Sequence, residues 1–485
     1  MIESTPTDGT YAALRLHIGG EWLGGDDRRT QPVLNPATGR TLGQLPLVNT
    51  QDLDRALEAA EQGFALWRQT NPNERAAVLS SAADLLRERI DVIARNATLE
   101  EGKTLAEARS ETQAAASLFD FYAGEAVRLY GRVLMRPPGQ RSLITKEPVG
   151  PVAAFSPWNF PIHNPVRKLG APIATGCSVI LKPSEETPAS AIAVMQALLD
   201  AGLPAGVAQL VFGIPDEVSR QLLASPIVRK LSFTGSTAVG KQLMRLSADT
   251  VKKMTLELGG HAPVIVFDDC DLDKTVETLA AAKFRNAGQV CVSPTRFYIQ
   301  QDIYEKFVTA IANRSKRIRV ADGLAEGTDM GPTANVRRTE RVDSMVEEAV
   351  SDGARVLTGG KRIDGDGDGY FYQPTVLADV PVETTAMNEE PFGPLILAAP
   401  FKSFDDAVEQ ANRLPYGLAA FAFTENGRQA NRIADAIESG MVGVNTARVG
   451  AADAPFQGVK QSGHGSEDGV EGLEACLVTK TIHMT

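Results

Sequence analysis

Three short runs carry the groups that a covalent carbonyl chemistry needs. Asn286-Ala287-Gly288-Gln289-Val290-Cys291 offers a thiol, Glu257-Leu258-Gly259-Gly260 a carboxylate, and Pro157-Trp158-Asn159-Phe160-Pro161 an amide. Oxidation of a carbonyl through a thioester uses a thiolate to attack, a donor to hold the oxyanion and a base to activate water. Cys291 then reads as the nucleophile and Glu257 as the general base. Asn159 reads as the oxyanion donor, with the Cys291 backbone N–H as second donor. A free cysteine of pKa ~8.5 is mostly protonated at neutral pH, so something local is expected to lower it. The bland alternatives are a buried cysteine, a turn asparagine and a surface acid at a strand end.

These groups need a scaffold. Leu53, Ala56, Leu57, Ala60, Phe64 and Trp67 recur at helical spacing, which predicts an amphipathic helix over 52–68. More helices follow to about Tyr130, and Pro137-Pro138-Gly139 then breaks into an extended run from Arg141 to Val149. Beyond it, short apolar runs alternate with helix-length segments: Val152–Phe155, Ser178–Leu181, Gln209–Phe212 and Leu231–Phe233. Such alternation is the pattern of a parallel sheet with crossover helices, hence a Rossmann-like unit. A second alternating set, from Ala262 to about Val444, predicts another α/β domain carrying Cys291. Leu477–Ile482 is strand-like and is expected to pair with 141–149.

Composition limits the readings. With 485 residues, 43% of them hydrophobic, the chain can bury cores for two or three domains. A formal charge of −11 leaves no basic stripe for nucleic acid or an anionic membrane. Met1-Ile2-Glu3-Ser4-Thr5 has neither a basic nor an apolar leader region, and runs such as Leu395–Phe401 are too short to span a bilayer, so the chain reads as cytoplasmic. Cys177, Cys270, Cys291 and Cys476 form no C-x-x-C pair and read as reduced thiols. Asp364-x-Asp366-x-Asp368-Gly369 looks like the start of a calcium loop, but its twelfth position is Thr375 where a bidentate Glu is needed. It reads as a hairpin loop, and no metal is expected.

Other runs suit a dinucleotide. Lys182-Pro183-Ser184-Glu185 follows a predicted strand, where ligands of open α/β sheets bind; its bland reading is a turn before the helix at Thr187-Pro188. Phe233-Thr234-Gly235-Ser236-Thr237-Ala238-Val239-Gly240 is a strand, glycine turn and helix start that presents free N–H groups to a pyrophosphate, unless Ser236 or Thr237 is simply an N-cap. Glu389-Glu390-Pro391-Phe392-Gly393-Pro394 would by itself be a polar turn.

Taken together, these motifs resemble the aldehyde dehydrogenase superfamily from about Leu14 to the C-terminus. The resemblance implies a Rossmann-type cofactor domain (1–126 and 147–258), a second α/β catalytic domain (259–466) and a small β oligomerisation arm (127–146 and 467–485) in a homodimer or homotetramer. It also implies that Lys182 and Glu185, with Ser184, contact the adenosine ribose, that Gly235 and Ser236 face the pyrophosphate, and that Glu390 binds the nicotinamide ribose with Trp158 and Phe392 beside it. An acid at Glu185 accepts from a 2′-hydroxyl and repels a 2′-phosphate, which favours NAD while leaving NADP open. Relatives that transfer the acyl group to coenzyme A generally lack the glutamate at Glu257, so hydrolysis to a carboxylic acid is implied over acylation of coenzyme A. A non-catalytic, crystallin-like relative is the other rival.

For the substrate, the resemblance is to the succinate and α-ketoglutarate semialdehyde branch, with Arg167 and Arg285 in the positions of its carboxylate-binding arginines and Phe456 in the pocket. The bland reading makes both arginines scaffold residues. The loop Gly450-Ala451-Ala452-Asp453-Ala454 lacks a serine that helps bind succinate semialdehyde, and Gln457 replaces a usual glycine. Arg448 and His163 suit an α-keto acid, a sulfonate or a hydroxylated chain, so α-ketoglutarate semialdehyde, sulfolactaldehyde and an aromatic aldehyde are alternatives. Ser293 removes the second thiol of a C-x-C switch.

Overall fold

Continuous apolar runs make strands where both faces of a sheet are covered. Val152–Phe155 (β1), Val179–Lys182 (β2), Ala208–Leu210 (β3), Lys230–Thr234 (β4) and Lys253–Glu257 (β5) do so in the computed structural model, which describes residues 11–363 and 368–485. They run parallel in the order β3-β2-β1-β4-β5. Antiparallel strands extend the two edges: Leu16–Ile18 with Glu21–Leu23 beside β3, and Gly463–His464 beside β5. The chain winds from β1 one way to β2 and β3, and the other way to β4 and β5. The crevice outside the carboxyl ends of β1 and β4 is therefore a topological switch point, where open sheets bind ligands.

Helices cover the sheet: α1 (His163–Thr175) after β1, α2 (Pro188–Asp200) after β2 and α3 (Thr237–Ala248) after β4. Pro188 stands in the first turn of α2, and the buried Glu100 carboxylate accepts from Ala189 N and Ser190 N at 2.9 Å each, satisfying amides that the helix leaves free.

The second sheet has seven strands, in the order Arg355–Thr358, Thr375–Ala378, Leu395–Phe401, Pro294–Gln300, Ala262–Val266, Ala419–Phe423 and Met441–Val444. Val264, Val266, Phe297, Ile299 and Phe421 face one core, while Ile265, Tyr298, Leu397, Ala420 and Ala422 face another. The alternation of side chains along each strand thus fills two apolar layers.

Leu477–Met484 pairs antiparallel with Arg141–Pro148, from Leu477 opposite Pro148 to Met484 opposite Arg141. Arg132–Met135 lies on the other side of that strand. The expected helix over 52–68 is Thr50–Trp67, begun by a capping box between Asn49 and Asp52. The expected strand Gln209–Phe212 ends two residues earlier, at Leu210, although Val211 N still donates to Leu181 O. Met1 to Thr5, and Asp364 and Asp366 of the calcium-like run, lie outside the described residues. No helix among the described residues is long and apolar enough to cross a membrane.

Candidate active site

Cys291 is delivered by an abrupt turn. The helix Leu272–Phe284 (α4) passes into a 3-10 turn, Arg285–Gly288, in which Asn286, Ala287 and Gly288 take φ of 50°, 51° and 72°. Such a run persists only where its surroundings over-determine it. Here Asn286 N donates to Glu107 Oε1 (2.8 Å), Asn286 Nδ2 to Asn159 O (2.9 Å), and Ala334 N to Gln289 Oε1 (2.9 Å). Gly288 is required twice over: its φ is left-handed, and a Cβ there would lie 2.2 Å from Gly393 O.

Asn159 and the turn hold one another. Its side-chain amide donates to Gln289 O at 3.0 Å, and its carbonyl accepts from Lys103 Nζ at 2.9 Å. One amide hydrogen of Asn159 remains for an oxyanion. Cys291 is half-buried and packs with Leu418, Met441, Phe456, Val292 and Val449. Gly260 passes against it, and a Cβ there would come 3.1 Å from Cys291 O.

The electrostatics correct one expectation. Instead of being lowered, the Cys291 thiol is pushed up to about 12, because burial and the carboxylates of Glu390 and Glu257 disfavour the thiolate more than Arg167 and the Val292 N–H favour it. Glu257 ends β5, is 2% exposed, and neither carboxylate oxygen has a hydrogen-bond partner. It is not a surface acid. Burial and then Glu467 raise its pKa well above the ordinary carboxylate value, against Arg167 and Lys168. Glu467 takes the opposite course: burial would raise it, but Lys168 and Arg167 bring it below its usual value, and it also accepts from Ser232 Oγ at 2.9 Å.

The cofactor candidates converge on the switch point. Lys182, the last residue of β2, pairs with Glu185 at 2.6 Å, and Glu185 also accepts from Gly213 N at 3.1 Å. Ser184 caps the turn through Glu186 N. Ser236 does N-cap α3, through Val239 N at 3.4 Å. Trp158 and Phe392 meet edge to face with centroids 5.5 Å apart. The Glu390 carboxyl lies over Gly259, where a Cβ would be 2.8 Å from Oε2, and burial pushes it up to about 8 against Gly260 N–H, Arg338 and Lys283. The crevice also holds two buried hydroxyl oxygens without a partner, Ser156 Oγ after β1 and Thr234 Oγ1 at the end of β4. Orphaned hydroxyls at a switch point, a helix N-terminus at Ser236 and an acid–lysine pair at the next strand end fit a dinucleotide.

At the substrate side, Arg167 is not open. It is 8% exposed, and donates from Nε to Asp468 Oδ1 (2.9 Å) and from Nη2 to Asp468 Oδ2 (2.5 Å), with Glu467 at 3.9 Å. Burial acts to lower the pKa of the guanidinium, but Asp468 and Glu467 more than reverse this and raise it above arginine's usual value. The Phe456 ring lies 4.4 Å beneath it. His163 stays neutral, lowered to about 3 by burial and Arg167. Arg285 differs: it is exposed, lies over the Phe160 ring at 5.5 Å and has no ion-pair partner among the described residues. Arg448 is exposed beside Val449, which packs on the thiol cluster.

Thiol, carboxylate, amide and dinucleotide crevice thus meet in one place, and the profile of the aldehyde dehydrogenase family matches residues 22–482. The chain belongs to the aldehyde dehydrogenase family. As an aldehyde dehydrogenase, it is an enzyme that oxidises an aldehyde with NAD or NADP. It is 49% identical over 474 residues to a 4-(hydroxymethyl)benzenesulfonate dehydrogenase of Comamonas testosteroni, covering 98% of each chain. It is 42% identical to an NADP-dependent succinate-semialdehyde dehydrogenase of Escherichia coli, covering 96% of each. The crystal structure of succinate-semialdehyde dehydrogenase from Burkholderia pseudomallei superposes with a TM-score of 0.96 at 41% identity, covering all of both chains.

Several residues that surround this candidate site of the aldehyde dehydrogenase carry no distinctive sequence signal of their own: Lys103, Lys168, Tyr122, Glu467 and Asp468. Lys168 adjoins Arg167, and Glu467-Asp468 is one of two adjacent acid pairs after Glu389-Glu390, the other being Asp405-Asp406. Neither signal distinguishes a buried network from a polar turn.

Proposed function

We propose that the enzyme oxidises an aldehyde whose far end carries a carboxylate or sulfonate, releasing the carboxylic acid. The observation that carries this is Arg285, an exposed guanidinium on the Phe160 ring, six residues before the thiol and without an ion-pair partner among the described residues. Such a cation suits charge-assisted bonds to an anionic group. The names of relatives agree in kind, since succinate semialdehyde, glutarate semialdehyde and a benzenesulfonate all carry an acid.

In this reading Cys291 rests as a thiol and loses its proton to water at the open side of the site as sulfur bonds to the carbonyl carbon. The oxygen so charged is received by the free Asn159 N–H and the Cys291 backbone N–H. NAD or NADP, when bound, supplies the hydride acceptor for the aldehyde hydrogen. Lys182, Ser184, Glu185, Gly235, Ser236, Glu390, Trp158 and Phe392 hold that cofactor, with Glu185 favouring NAD. Glu257 then takes a proton from water as the water oxygen attacks the thioester carbon, and carbon–sulfur cleavage releases the acid while that proton passes to sulfur, restoring Glu257 and the Cys291 thiol. The missing partners of both Glu257 oxygens suit a base that must accept a water hydrogen bond.

We also read 1–126 with 147–258 as the cofactor domain, 259–466 as the catalytic domain, and 127–146 with 467–485 as the arm of a cytoplasmic homodimer or homotetramer. Exposed Tyr130 (73%), Val133 (57%) and Met135 (84%) at the arm's edge support its burial in an oligomer. The substrate reading is tested by NADH formation from succinate semialdehyde, glutarate semialdehyde and 4-formylbenzenesulfonate beside butanal. One of the acids should exceed butanal in kcat/KM, and preference for butanal over all three would end the reading.

A further inference from the structure

Arg167 is gripped by a residue in a backbone conformation that only glycine adopts readily. Asp468 sits at φ 55° and ψ 178° and is 2% exposed. Both carboxylate oxygens engage Arg167, at 2.9 and 2.5 Å, and Tyr122 Oη donates to Oδ1 at 3.2 Å. The adjacent Glu467 exchanges both backbone hydrogen bonds with Phe456, at 2.7 and 2.9 Å. That bridge sets the Phe456 ring against the Arg167 guanidinium on one side and within the Cys291 cluster on the other.

Arg167 therefore stands at the wall of the thiol pocket with its charge already compensated by the protein. An anion brought beside a neutralised pair must shed water without gaining a free cation, which is unfavourable in a buried site. Arg285, on the rim, keeps its charge available.

We propose that Asp468 is a specificity-determining residue: by occupying Arg167 it denies the inner pocket to an anionic group, so the acid end of the aldehyde must reach the rim at Arg285 across a long or flat spacer. This rests on the anionic-substrate reading above. The walls suit such a spacer, since Phe160 and Phe456 lie under the two arginines and Leu418 and Met441 line the thiol. A substrate of the 4-formylbenzenesulfonate shape is favoured over the four-carbon succinate semialdehyde.

The test compares kcat/KM for succinate semialdehyde, 4-formylbenzenesulfonate and butanal in the wild type, Asp468→Gly, Asp468→Asn and the double variant Arg167→Leu/Asp468→Gly. Glycine relieves the backbone strain and frees Arg167; asparagine keeps the shape and removes the charge. The ratio for succinate semialdehyde over butanal should rise tenfold or more in Asp468→Gly, mainly through KM, and in the same direction in Asp468→Asn. The double variant should lose the gain. Parallel change of acid and neutral substrates in both single variants, or a gain that survives loss of Arg167, overturns the assignment. Arg285→Leu assayed on 4-formylbenzenesulfonate reads the parent proposal separately: an unchanged acid-to-neutral ratio there removes the anionic-substrate reading itself, whereas a null result at Asp468 removes only the role of Asp468.

Discussion

The inner wall of the active site and its outer rim handle charge in opposite ways. Inside, Arg167 faces Asp468, Lys168 faces Glu467, and Lys103 faces Glu111, all buried and matched within the protein. At the rim, Arg285 and Arg448 are exposed with no ion pair among the described residues. The difference separates two tasks. Matched charges fix a framework and tune what they surround, since a buried ion pair left unmatched is costly. Unmatched cations at an open rim are free for a ligand. Glu257 is the exception within, a buried acid whose oxygens have no partner, and it is the group assigned to proton transfer.

The largest effect should come from the thiol. Cys291→Ala is expected to yield no NADH above background with any aldehyde, while cofactor binding followed by fluorescence persists; steady NADH formation would show that the nucleophile lies elsewhere. At the rim, Arg285→Leu should lower kcat/KM for the preferred acid aldehyde by roughly one to two decades, the equivalent of about 1.5–3 kcal/mol for a hydrogen bond to a charged group, with a much smaller loss for butanal. A parallel fall in both substrates would return Arg285 to a structural role. Smaller still is the cofactor effect. Glu185→Gln should narrow the NAD-to-NADP ratio of kcat/KM, because the acid that repels a 2′-phosphate is neutralised while its shape remains; an unchanged ratio would assign the preference to another residue.

How far the sequence reveals these features depends on how local their cause is. The strand ends that carry Glu257, Lys182 and Thr234 are legible because a short apolar run followed by a turn is a local signal, and the pairing of Leu477–Met484 with Arg141–Pro148 follows from two unfinished extended runs. The inner network is not legible, because Arg167 and Asp468 are 301 residues apart and meet only when α1 packs against the segment after Gly463–His464. The same applies to the Cys291 thiol. Its motif is readable, but its rise to about 12 comes from burial and from Glu390 and Glu257, far along the chain. A sequence shows which groups are present and not which charges surround them.

In the proposed mechanism Glu257 is the buried base of the second half-reaction, and rapid mixing of Glu257→Gln with aldehyde and cofactor, followed by NADH absorbance, tests that role most directly. Burial and Glu467 hold Glu257 above the ordinary carboxylate range, and a base works deprotonated. The wild-type steady-state rate should therefore climb as pH rises through that raised value and fall away below it. With the carboxylate gone, each active site should form at most one NADH and stall as a thioester, detectable by mass on the peptide containing Cys291. Continued turnover beyond one NADH per site, with the rising pH limb intact, would contradict it.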